Sequence, residues 1–168
     1  MPEDRLSAHE IYRIALDTRN LEIGLFWQRS NYFLALNTAL AIGFFGIKHS
    51  VGYPLLIGTL GVTTSYLWYR VNLGSKFWQS RWEHRLRIVE ESIGTDLKFF
   101  AADWPTIHHD VNQSLQNAKH KWFRKQIDKQ ILKKPSVSHN MTLLSLAFLA
   151  AWLILTGTQL LRITMISR

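Results

Sequence analysis

Two apolar runs without a single charge, Tyr32–Ile47 and Tyr53–Tyr69, stand so close together that they leave this chain few ways to fold. Only the link KHSVG separates them. As helices they rise about 24 Å and about 26 Å, slightly short of the ~30 Å hydrocarbon core, so each needs its flanks to cross a bilayer. Phe26, Trp27 and Tyr32 open the first run, and Tyr66, Trp68 and Tyr69 close the second. Amphipathic rings of this kind favour the headgroup level. Arg29 and Arg70 then mark one side of the membrane. The predicted element is a transmembrane helical hairpin over 31–70. A soluble helix pair of this apolarity would need a large core, which the rest of the 168 residues does not offer.

A third run, Met141–Ile163, carries its only charge at Arg162 and is long enough to span with some tilt. Ser138 or Asn140 can cap its start. Apolar residues gather in these three blocks, so the mean hydropathy of −0.05 conceals a membrane protein. Charge sets the orientation. From Arg70 to His139 the chain carries 13 Lys+Arg against 7 Asp+Glu, whereas the link between the first two runs holds Lys48 alone. Positive segments near membrane ends stay in the cytoplasm, so the amino-terminal region and the insert lie inside, and the tail outside. The start, MPEDRLSAHEIY, is acidic and polar, and no cleavable signal peptide is expected there. Cysteine is absent, which removes disulfides, thiolate nucleophiles and Cys-based metal sites.

The organisation expected along the chain is an amphipathic cytosolic helix over 1–30, the hairpin over 31–70, a basic helical cytosolic region over 71–138, and a third transmembrane helix with a short outer tail over 139–168. Ser7 and Glu10 fit a capping box. After it Ile11, Ile14, Thr18, Leu21 and Leu25 recur at three, four, three and four, a seam suited to helix contact within one chain or between subunits. Ala35, Ala39 and Gly43 form a small-residue face on the first membrane run, and Gly58, Gly61 and Ser65 one on the second. Such faces let helix backbones approach closely in lipid.

Counting depth from Arg29 and Arg70 sets Asn37 and Thr38 level with Thr63 and Thr64. This polar layer has two readings: hydrogen bonding between or within helices, or the lining of a conduit in an oligomer. Asn37 is the strongest pore-lining candidate, because a carboxamide facing lipid leaves several groups unmet.

In the insert, Trp78, Trp82, Leu86, Val89 and Ile93 fall on one helical stripe, with Glu83–Arg87 and Arg87–Glu91 as helix pairs and Gly94 as the stop. Thr106 or Asp103 can cap a following helix. His108, His109 and Asp110 do not make a metal site, since adjacent histidines point apart and no ligand follows at i+4. The stretch Lys119–Lys134 holds seven Lys/Arg and one acid, Asp128. Its cations can touch anionic lipid or meet an acidic cytosolic protein partner. Alternatively, Lys119, Lys121, Trp122, Arg124 and Lys125 can hold a nucleotide or single-stranded nucleic acid, charge following phosphate and the ring stacking on a base. No Gly-rich phosphate loop, GxSxG, HExxH or paired membrane carboxylate is present, so no enzyme is expected.

The phrases LFWQRSNYFLALN and WYRVNLGSKFWQSRWE, within residues 10–100, resemble the RipA-like octameric bacterial membrane proteins. In architecture the chain is also similar to the SLATT proteins, a group linked to bacterial conflict systems and pore formation. These resemblances imply a homo-oligomer in the bacterial inner membrane. The expected fold is therefore an all-α, three-span oligomeric membrane protein. Its expected role is a ligand-gated pore effector, in antiphage defence, or alternatively a non-conducting scaffold or regulatory subunit that docks a partner.

Overall fold

The computed structural model is all-helical over the residues it describes, 6–46, 52–94, 98–116 and 122–166, with 122–125 and 166 described by backbone alone. Five helices follow in order: α1 (Ala8–Gly46), α2 (Gly52–Ile93), α3 (Trp104–Gln116), α4 (Trp122–Ile131) and α5 (Val137–Ile166). Each boundary has a local cause. At the start of α1 the Ser7 N–H donates to Glu10 Oε2 at 2.8 Å and the Glu10 N–H to Ser7 Oγ at 3.3 Å, which is the expected capping box. No proline interrupts the 39 residues that follow, so α1 runs unbroken for about 58 Å. Pro54 falls in the first turn of α2, where its missing N–H costs no helical bond. Gly94 ends α2 in the left-handed region, φ 68°, donating its N–H to Glu90 O at 3.3 Å. Asp103 rather than Thr106 caps α3, its Oδ1 accepting the Thr106 N–H at 3.1 Å.

The chain divides into two compact units, because α1 and α2 each contribute one part to either. The first comprises Glu22–Phe77 and Ser138–Arg168. Here α1 and α2 pack antiparallel, with α5 against both, in a succession of side-chain layers. Arg29 donates to Ser75 Oγ at 3.4 Å. Next, Asn72 Nδ2 donates to Met141 O at 3.1 Å and Ser145 Oγ at 3.4 Å. Trp68 lies between Phe33 and Phe148, with ring centroids at 6.1 and 5.8 Å. Farther along, Phe44, Ile57 and Trp152 form a buried apolar cluster. Two glycines make this approach possible. A Cβ on Gly61 would collide with the Trp152 ring, and one on Gly58 would press on Thr156.

The polarity of this unit is inverted relative to a soluble bundle. Ser30, Asn37, Ser65, Asn72, Ser75 and Ser145 are buried, while Leu36, Ile42, Phe45, Leu56, Leu60, Leu153 and Ile154 are exposed. Among the described residues one helix segment, Val137–Met165, is long and apolar enough to cross a membrane, and only 11% of its most apolar window is buried. A core helix of a soluble domain would be mostly covered. Asn, Thr, Ser, Tyr and Trp are interspersed in the first two apolar runs. In this bundle Asn37, Ser65 and Trp68 turn inward.

The second unit comprises 1–21 and 78–137. Among its described residues Leu86 and Ala15 are the buried apolar ones, and Trp82, Val89 and Ile93 are half-buried on the expected stripe. Trp78 departs from that stripe by remaining exposed, with the Arg81 guanidinium 5.5 Å from its ring centroid. The expected pairs of Arg87 with Glu83 and Glu91 are replaced by other bonds. Glu83 meets Arg19 at 3.6 Å, and Arg87 Nε donates to Phe100 O at 3.2 Å. Tertiary partners outbid exposed helix pairs, which are worth only ~0.3–0.5 kcal/mol.

Gly61→Ala therefore overpacks the helix contact, with an expected loss of about 1–3 kcal/mol. Gly74, where an added Cβ meets nothing within 4 Å, is the control. Gly74→Ala should hold or raise stability by up to ~1 kcal/mol through helix propensity. Thermal unfolding of both variants in one mild detergent checks the contrast.

Candidate functional site

Asn37 is the polar centre of the first unit. Its side chain is fully buried, and its Oδ1 accepts two bonds, from Ser65 Oγ at 2.9 Å and from Trp152 Nε1 at 2.8 Å. Its Nδ2 donates to Phe33 O at 2.8 Å. Three of the carboxamide's four hydrogen-bonding positions are thus filled, and one residue ties α1, α2 and α5 together.

The expected polar layer set Asn37 and Thr38 beside Thr63 and Thr64. Asn37 bonds Ser65, the next residue after Thr64, while Thr38 and Thr63 are exposed. Both outward threonines satisfy themselves, Thr38 Oγ1 donating to Leu34 O at 2.9 Å and Thr63 Oγ1 to Thr59 O at 3.0 Å. Thr64 is half-buried. Within the protomer Asn37 takes the hydrogen-bonding reading of the polar layer, as a fully buried junction of three helices.

The small-residue faces also separate. Gly43, Gly58 and Gly61 pack within the bundle, an added Cβ at Gly43 coming 3.2 Å from Ile57 Cδ1, whereas Ala35 and Ala39 are exposed. The seam of Ile11, Ile14, Thr18, Leu21 and Leu25 behaves like Ala35 and Ala39. Ile11, Ile14 and Leu21 are 42%, 54% and 61% exposed, and Ala15 turns inward instead. The three–four spacing continues without a break through Gln28, Tyr32, Ala35, Ala39, Ile42 and Gly46, all exposed. Exposed positions at heptad spacing therefore recur along α1, with Thr18 and Leu25 half-buried among them. Sequence reasoning missed the second half of this seam because Gln28 and Tyr32 interrupt the apolar pattern. The spacing itself was the available signal.

In the second unit the key group is Glu90, buried although charged. Its carboxylate accepts the N–H groups of Phe99, Phe100 and Ala101 at 2.9, 2.7 and 2.7 Å, and the Tyr12 hydroxyl at 3.4 Å. Burial pushes the carboxyl up, but the three amides and the phenol outweigh it, and the Glu90 pKa lies below its ordinary value. Burial first, then the Glu90 charge, raises the Tyr12 phenol. The Arg19 guanidinium lies 5.4 Å from the Phe100 ring centroid. No short-range pattern announces this clasp, since its partners are backbone amides.

Of the basic candidates, Lys119 and Lys121 lie outside the described residues, and Trp122, Arg124 and Lys125 are placed only as backbone of α4. His108 is half-buried and His109 exposed.

A helical unit with exposed leucines, isoleucines and phenylalanines, a buried polar interior and a bilayer-length apolar helix belongs to a membrane protein. Residues 9–161 match the octameric membrane protein family (8xMP), and the chain belongs to that family. It is thus an oligomeric membrane protein, as the resemblance implied. No curated protein and no solved structure matches it.

Glu90 gives a signed pH dependence. A folded-state pKa below the unfolded one adds stability that is complete above the ordinary carboxylate value of ~4.3 and is lost as the pH falls through the lowered value. Wild type should therefore lose stability on acidification more steeply than Glu90→Gln. At neutral pH Glu90→Ala, which removes the acceptor from three part-buried amides, should cost about 1–3 kcal/mol. Unfolding midpoints of the full chain between pH 7 and pH 3 check both.

Proposed function

We propose that the protein is a non-enzymatic, three-span homo-oligomeric scaffold of the bacterial inner membrane, with its amino terminus and basic unit in the cytoplasm. The observation that carries this reading is the row of exposed positions at heptad spacing along α1. A seam at three–four spacing fits another helix through knobs and holes. Its membrane-depth positions Ala35 and Ala39 are small, as close helix contact in lipid requires. A ring repeats one heterologous contact, in which this seam of α1 meets a different face of the next copy. The three-span topology is supported by the three-helix unit, whose polar side chains turn inward at the depth where lipid offers no partners. The basic insert, kept inside by its charge, is the docking face for a cytosolic partner.

A second reading is favoured by Gln28 on the seam and the exposed Thr38 beside it. Eight α1 helices of ~10 Å diameter, set side by side, leave an axial opening of roughly 15 Å. Gln28 and Thr38, rather than Asn37, would face or flank that opening. In this reading the ring is a gated pore effector of antiphage defence, biased by a nucleotide or oligonucleotide on Lys119, Lys121, Trp122, Arg124 and Lys125. A ligand shifts gating only by its affinity difference between open and closed states.

Ala39→Leu and Ile14→Lys each spoil the seam and leave the protomer interior untouched. Light scattering of the detergent-solubilised protein should show both variants as smaller species with unchanged helicity, and an unchanged assembly for both would sink the proposal. Ion flux in liposomes separates the readings. The scaffold gives none with or without nucleotide, whereas flux that changes with Gln28→Ala or Thr38→Val would establish the pore.

A further inference from the structure

We propose that the cleft between α3 and the end of α4 binds one acyl chain of an anionic phospholipid, with the lipid phosphate on Lys134. The cleft encloses about 270 Å³ and is walled by Trp104, Ile107, Val111, Ile131 and Leu132, with Lys134 and His108 at its edge. That volume lies just below the ~300 Å³ at which pockets for whole small molecules begin. The walls offer almost no polar partner for a base or sugar. A segment of an alkyl chain, its remainder outside the half-open cleft, fits both constraints, and a nucleotide fits neither.

The surrounding helices are built for an apolar ligand. None of the 13 residues of α3 is buried, and Trp104, Ile127 and Ile131 are 49%, 44% and 43% exposed. An amphipathic helix with an uncovered apolar face and basic neighbours belongs at a membrane surface. Lys129, Lys133 and Lys134 supply the positive charge, and the bilayer is already this protein's solvent.

Lys134 supplies a second, independent observation. It ends α4 in the left-handed region with φ 50°, its N–H donating to Ile131 O at 2.9 Å. Glycine takes that position without steric cost, and a lysine does not. The backbone turn therefore does not explain the side chain. Its ammonium sits 5.1 Å from the Trp104 ring centroid, a cation–π contact that holds the charge at the mouth of the cleft. Three residues later α5 begins at Val137, a reach of at most ~11 Å. A cation so close along the chain to the start of a membrane helix stands where lipid phosphates lie.

The test uses the full-length protein in nanodiscs containing phosphatidylglycerol with a photoactivatable diazirine on its acyl chain, followed by mapping of the labelled peptides. Label is expected on 104–111 and 127–134, in addition to α5. Val111→Trp, which fills the cleft, should remove the label from α3 and α4 and leave that on α5. Lys134→Gly should lower the α3–α4 label about fivefold, the effect of one cation near an anionic surface. It should also abolish the preference over the same probe in phosphatidylcholine, with an unfolding midpoint equal to or above wild type, because the turn is relieved. Label confined to α5, label on α3 and α4 that survives Val111→Trp, or equal labelling by the two headgroups would overturn the proposal.

Discussion

The carboxamide of Asn37 is the interaction on which the rest of this structure depends. In water a three-helix unit is held by burying apolar faces. In lipid the surroundings are as apolar as leucine, and association rests on close packing and hydrogen bonds. Asn37 supplies the bonds, with Ser65 and Trp152 both donating to its single oxygen. Gly61 supplies the packing, since only its bare backbone leaves room for the Trp152 indole. Fixing those contacts sets the register of α2 and α5 against α1. The other layers follow from it, from Phe33–Trp68–Phe148 to Asn72–Ser145.

How far the sequence discloses this is decided residue by residue. The three apolar runs, the capping box at Ser7, the stop at Gly94 and the close-packing role of Gly58 and Gly61 are all local signals, and the structure contains them. The register is not local. Using Arg29 and Arg70 as depth marks placed Thr63 and Thr64 opposite Asn37. Yet Arg29 meets Ser75, five positions farther along than Arg70. Long basic side chains reach along a helix to find solvent or a partner, so their Cα positions are poor rulers. Small residues under large ones, Gly61 beneath Trp152 and Gly43 beside Ile57, set the register instead. A buried indole N–H and a buried carboxamide each need a partner, and that shared need was the available sign that Trp152 and Asn37 belong together.

Polarity facing inward leaves the outer face to define what the molecule does with its neighbours. Along α1 exposed positions recur at heptad spacing between Ile11 and Gly46, with Thr18 and Leu25 half-buried among them and the small Ala35 and Ala39 exposed. Membership of an octameric family makes such a face meaningful. The second unit is organised around a charge rather than an amide. Glu90 gathers three successive backbone N–H groups and so holds the segment leading into α3 against α2. The cleft between α3 and α4 is formed beyond that clasp.

The central claim is that Asn37 and the side chains that bond to it, Ser65 and Trp152, are sealed inside each protomer. The chain has no cysteine, so a single Ser65→Cys, nearly isosteric with the native side chain, reports on that site alone. A membrane-impermeant thiol reagent applied to both sides of the reconstituted oligomer should leave this cysteine unmodified, while Ser80→Cys, at an exposed position of the basic unit, reacts readily. Rapid modification at position 65 would place water beside Asn37 and contradict the account.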